Sequence, residues 1–114
     1  MGLRAQVIGM AQIEEEEKRA QETVDEIIRE LEEHHANGDW DKFFDDEVLD
    51  VLLLTTPDKE DILGFSILLS YGGPTIEFLC DRGDGKIIYS YGDIEVKRDI
   101  NPEICDDIIN YLDS

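Results

Sequence analysis

An α+β fold is what this sequence predicts: a long N-terminal helix, a four-stranded antiparallel meander and a C-terminal helix packed on the sheet. Three observations carry that expectation. Apolar residues recur at helical spacing through the first third of the chain, and the period then changes to that of extended strands. The turns between those strands are short runs rich in Gly, Pro and Asp, the length of hairpins rather than of crossover connections. With 114 residues, 41% of them hydrophobic, the chain can build one core, so 1–114 reads as a single domain.

The first helix is expected over residues 11–36. With successive residues set 100° apart, Ile13, Ala20, Val24, Ile27, Ile28 and Leu31 share an arc of roughly 100°. Glu14, Glu15, Glu22, Asp25, Glu26, Glu30, Glu32 and Glu33 share an arc of roughly 160° on the other side. Asn37-Gly38 supplies the left-handed residue that ends a helix. The Val24–Ile27–Leu31 seam has heptad-like spacing, but it is too short to require a coiled coil and is assigned to the sheet.

Residues 39–50, DWDKFFDDEVLD, read as a loop or a short helical turn in which Trp40, Phe43 and Phe44 cover one edge of the core. Strands follow at 49–55, 63–71, 75–80 and 86–91, separated by Thr56-Pro57-Asp58, Gly72-Gly73-Pro74 and Asp81-Arg82-Gly83-Asp84-Gly85. Gly92-Asp93 either bulges or breaks the fourth strand before Ile94-Glu95-Val96, which closes the sheet region at 49–96. Asn101 then caps a helix at 102–112 with Pro102 in its first turn and an apolar stripe of Ile104, Ile108, Ile109 and Leu112.

Charge narrows the function classes. Ten Lys and Arg against 29 Asp and Glu leave a formal charge of −19, which opposes nucleic acid or an anionic membrane as a direct ligand because both carry the same sign. No apolar run approaches the roughly 18 residues needed to span a bilayer. Residues 1–10 are too short and too weakly basic for a signal peptide, and Gln6 stands where myristoylation needs Ser or Thr. Cys80 and Cys105 have no C-x-x-C partner and read as buried small hydrophobes. The expected compartment is the cytoplasm.

The strongest signal is the acidic helix face. Residues 14–33 hold ten carboxylates over about 30 Å, roughly one per 3 Å, close to the ~3.4 Å per charge of a single DNA strand. Lys18, Arg19 and Arg29 are placed for i,i+4 pairs with Glu14, Glu15 and Asp25. A solvated surface is the ordinary reading of such a face. Here, however, residues 12–61 carry 19 acids against 5 bases, a surplus that repels itself in the compact state. A function that uses the field explains it, with Glu15, Glu22, Asp25, Glu26, Glu30 and Glu33 as partner-binding residues. Reversal of Asp25, Glu26 and Glu30 to Lys is then expected to remove binding and leave the fold intact. Tyr89 and Tyr91 form a second candidate surface, on one face of the fourth strand, where tyrosines can serve as recognition anchors or simply edge the core.

No catalytic residue, cofactor or metal is expected. Asp81 to Gly85 lacks the ligand spacing of a calcium loop, and nothing fixes Asp41, Asp45 and Asp46 around an ion. His34 and His35 point about 100° apart and read as capping and packing residues in a last helical turn. Ser66 and Ser70 lie in no nucleophile elbow, and Gly72-Gly73-Pro74 is followed by neither Lys nor a helix, so it cradles no phosphate.

From Ser66 to Asp93 the residues SILLSYGGPTIEFLCDRGDGKIIYSYGD, with Leu69-Ser70 and Gly72-Gly73-Pro74 at the strand–turn junction, resemble small acidic proteins carried by phages and mobile elements. Some members of that group are anti-CRISPR inhibitors. The resemblance implies a non-enzymatic inhibitor, and the charge pattern independently points the same way. The expected partner is a basic nucleic-acid-binding protein or ribonucleoprotein complex, bound as a nucleic-acid mimic. The alternative is an immunity or antitoxin-like protein that holds a specific toxin through its aromatic sheet face. Whether the chain acts as a monomer or a homodimer stays open.

Overall fold

The computed structural model describes the backbone of residues 2–113 and the side chains of residues 14–113. The helix α1 runs Gly2–Asn37, further toward the N-terminus than the expected 11–36, and α2 covers Trp40–Asp46. Five strands follow, β1 Asp50–Thr55, β2 Ile62–Ser70, β3 Thr75–Asp81, β4 Asp84–Tyr91 and β5 Ile94–Ile100, before α3 at Pro102–Asp113. All four strand pairs are antiparallel and the sheet order is β1-β2-β3-β4-β5, a meander.

The expected four strands are therefore five. Gly92-Asp93 neither bulges nor merely interrupts a strand: Tyr91 pairs with Ile94, and Gly92 at φ 59 opens a two-residue hairpin turn. The strand that follows, IEVKRDI, is hard to see because charges occupy most of its positions. Ile94, Val96 and Ile100 still alternate inward, but Arg98 takes an inward position in the same series. Arg82 and Gly83, both with positive φ (53 and 93), make the analogous turn between β3 and β4.

The core lies between one face of the sheet and the helices. Phe65 and Ile67 on β2, Ile76 and Phe78 on β3, and Ile87 on β4 are buried, and opposite them lie Ala20, Val24 and Leu31 of α1 with Ile104 and Ile108 of α3. Ile27 and Ile28 are half-buried against the same cluster, so the predicted apolar arc is the packing face of α1, while Ile13 lies outside the described side chains. Trp40 and Phe43 are buried, as expected of the segment after Gly38. The Asn101 side chain accepts from the backbone N–H of Glu103 at 3.0 Å, which caps α3. Among the described residues no helix is long and apolar enough to cross a membrane.

Candidate functional site

The six helix carboxylates singled out from the sequence do not share one environment. Glu15, Glu22, Glu26 and Glu33 are exposed and make no ion pair among the described residues. Their angular positions cluster at the centre of the acidic arc, which aligns them along α1 over roughly 27 Å. Asp25 and Glu30 sit at the two flanks of that arc, each next to the apolar stripe; Asp25 meets the sheet and Glu30 meets the chain just after α2. Asp25 Oδ1 accepts from Arg98 Nη1 on β5 at 3.0 Å. That contact explains the inward Arg98: at the margin of the core its guanidinium meets a carboxylate from the helix laid across the strand. Asp25 is thus committed to β5 and does not pair with Arg29.

Glu30 is half-buried and faces Glu47, and burial together with the shared hydrogen bond to Glu47 raises its carboxyl above the usual 4.5. The two acids rim a cleft of about 320 Å³ whose walls include Ile27, Phe43 and Ile76. His34 joins the group, its Nδ1 donating to Asp39 Oδ1 at 2.7 Å and its Nε2 lying 3.6 Å from Glu47. The same bond to His34 holds Asp39 below the ordinary carboxylate range. Of the three acids whose reversal is expected to leave the fold intact, Asp25 would lose its bond to Arg98 and Glu30 faces the like charge of Glu47, while Glu26 makes no ion pair among the described residues.

A pH dependence follows from Glu30. Its folded pKa is raised, so the folded chain takes up this proton at a higher pH than the unfolded chain. The group therefore favours folding below 4.5 and works against it once pH exceeds the folded value. Glu30→Gln, which keeps a donor toward Glu47, is expected to raise Tm at neutral pH by the equivalent of less than about 1 kcal/mol, the scale of one partly exposed charge. Well below pH 4.5 variant and parent melt together. Thermal unfolding followed by circular dichroism at the two pH values reads the difference.

His35 lies beside a second carboxylate, of opposite effect. Asp107 on α3 accepts from Trp40 Nε1 at 2.6 Å and from His35 Nδ1 at 2.9 Å, and these bonds, Trp40 first, hold its carboxyl below 3.8. Its contribution to stability is present above 3.8 and is lost on acidification through the folded value. The two adjacent histidines, 100° apart on the helix, thus clamp α1 to two different elements, α2 and α3, in keeping with the packing role read from the sequence.

Tyr89 and Tyr91 part company. Tyr89 is buried, so it does not stand on an open face as a recognition anchor. Its cross-strand neighbours Ile76 and Val96 belong to the core side of the sheet. Tyr91, one inward position further along β4, escapes the helix layer and is 48% exposed. It lines a cleft of about 230 Å³ together with Pro74, Tyr89, Glu16 and Arg19, so the tyrosine corner and the acidic helix meet at this end of the sheet. Cys80 and Cys105 are buried, and burial, with the neighbouring Cys80, pushes the Cys105 thiol up, the setting of an inert thiol rather than a nucleophile. Among the described residues no group of three or more His, Cys, Asp or Glu is placed to hold a metal. Comparison with protein-family models, with curated proteins and with solved structures finds no match to the chain.

Three features of the site were not read from the sequence: the Asp25–Arg98 pair, the Glu30–Glu47 pair, and the exposure of the leucines of β1. The flank positions of Asp25 and Glu30 on the helical wheel were the available signal for the first two. For β1 the signal was its place as the first strand of the expected meander, an edge position, although DVLLLT by itself reads equally well as a strand buried on both faces.

Proposed function

We propose that this chain is a small acidic, non-enzymatic inhibitor, of the phage-borne, anti-CRISPR-like kind, that occupies a basic nucleic-acid-binding surface of a protein or ribonucleoprotein target in the cytoplasm. The observation that carries the reading is the line of Glu15, Glu22, Glu26 and Glu33, exposed and unpaired on a helix whose other face is packed on the sheet. A carboxylate array on a rigid, pre-packed helix presents charge without ordering a loop on binding, and Lys and Arg grooves shaped for phosphates accept it by the same electrostatics. The Asp25–Arg98 bond and the histidine clamps support the reading by fixing the helix in place.

The test is capture of the target from host lysate on immobilised protein at two salt concentrations, followed by association kinetics with the captured complex. The proposal expects a nucleic-acid-binding complex retained at low salt and released at high salt, with an association rate that falls steeply as salt rises. Retention indifferent to salt overturns it. The toxin-immunity alternative is supported by the exposed Tyr91 and Tyr71, at 48% and 78%, and its anchor is Tyr91 rather than Tyr89. It expects Tyr91→Ala to weaken binding more than any helix charge does.

A further inference from the structure

Among the described residues the helix layer packs chiefly on the strands other than β1. The main contacts of α1 with the sheet fall on β4 and β5, and those of α3 on β2 and β4, while β1 pairs with β2 alone and ends the sheet. Its leucines are left in the open: Leu52, Leu53 and Leu54 are 67%, 48% and 43% exposed. Sheet edges are ordinarily blunted by a Lys, a Pro or a charge pointing inward, because unpaired N–H and C=O groups invite another strand. Within Val51-Leu52-Leu53-Leu54 there is no such guard. On the sheet face away from the helices, Leu52, Ser66 and Leu79 stand in register across β1, β2 and β3. The small Ser66 between two leucines leaves a trough of about 280 Å³ open along the edge.

Charge decides what fits there. The chain just before Val51 carries Asp45, Asp46, Glu47 and Asp50, and the turn after β1 carries Asp58, Glu60 and Asp61 against the single Lys59. Two copies joined antiparallel through β1 would set each leading cluster against the other's trailing cluster, and a parallel pairing would set like ends together. Either way acid meets acid across strands about 4.8 Å apart, within the ~8–10 Å over which salt leaves charges coupled. A second copy is repelled. A strand with apolar residues at its centre and Lys or Arg at its ends is drawn in at both ends and seated in the middle.

We propose that β1 is a docking edge for an extended segment of a partner protein, apolar at alternate central positions and basic at both ends, which adds to the sheet as a sixth strand by main-chain pairing. This surface is separate from the acidic line on α1 and does not rest on it.

The probe is the labelled peptide Lys-Lys-Val-Thr-Leu-Thr-Val-Lys-Lys, titrated by fluorescence anisotropy and by amide hydrogen exchange on the whole chain. Expected are saturable binding, slowed exchange at amides within 50–55, and loss of both when alternate peptide nitrogens are methylated. Leu52→Thr with Leu54→Thr keeps strand-forming residues at exposed positions and is expected to weaken binding about tenfold, the scale of losing an apolar anchor. A chain with Glu15, Glu22, Glu26 and Glu33 changed to Lys is expected to keep the protection at 50–55, which separates this edge from the helix. The proposal is overturned if the same peptide with Glu at its ends binds equally well, if no peptide binds, or if protection falls on α1 instead. It is equally overturned if the chain alone sediments as a dimer with 50–55 already protected, which assigns the edge to a second copy.

Discussion

Changing Glu15, Glu22, Glu26 and Glu33 to Lys is expected to slow association with the captured basic target by roughly 10- to 1,000-fold, the range over which electrostatic steering acts. The four side chains are exposed and unpaired, so the variant keeps the parent's circular dichroism and urea midpoint. Net charge alone does not produce the loss. A control with Asp93, Asp99, Asp106 and Asp113 changed to Lys carries the same number of reversals at exposed positions on the strands, turns and α3. It is expected to associate within a few-fold of the parent, because a local field falls off within about 10 Å at ordinary salt. Stopped-flow association of the two variants at matched ionic strength decides the matter. Equal slowing in both reduces the helix to one more part of a diffuse negative surface. No slowing in either removes the acidic line from the interface.

Gly64→Ala carries the largest expected effect on the fold. A Cβ built on Gly64 would lie 2.1 Å from the backbone carbonyl oxygen of Cys80, on the neighbouring strand. Backbone cannot rotate out of the way as a side chain can, so β2 and β3 must separate where Gly64 pairs with Asp81. That junction adjoins the Phe65–Phe78 pair, whose rings meet edge-to-face with centroids 5.1 Å apart. A cost of about 1–3 kcal/mol is expected, the usual range of overpacking that moves backbone. Ser66→Ala, two residues along the same strand, adds no volume and serves as the control, with an expected change under about 1 kcal/mol. Urea denaturation followed by tryptophan fluorescence measures both, since Trp40 is buried in the folded chain. A Gly64→Ala midpoint equal to the parent's would mean that the two strands tolerate a wider spacing there.

The elements that were legible before the fold was known are those whose signal is local. The described part of the apolar arc of α1, the Asn101 cap and the Asp81–Gly85 turn each act through residues a few positions apart, and each is found where the sequence placed it. β5 failed the same test for a local reason of its own. Arg98 breaks the apolar alternation, and its half-exposed guanidinium meets Asp25, 73 positions away in the chain and 3.0 Å away in space. Position on the helical wheel separated acid from apolar and marked Asp25 and Glu30 as marginal, but it could not say which groups of other elements they would meet.

By itself, then, the sequence determined the α+β class, the antiparallel meander, the packing face of α1 and the charge that this chain presents to any partner, because propensity, period and composition are properties of neighbours. Tertiary structure alone decided the rest. It gave the exposed Asp25 a partner on β5, half-buried Glu30 against Glu47, buried Tyr89, and left Glu15, Glu22, Glu26 and Glu33 exposed in line. It also left Leu52, Leu53 and Leu54 of the edge strand β1 exposed. The physical reason is the same in each case: the width of the helix layer and the register of the strands determine which side chains lose water, and neither is encoded within any one segment.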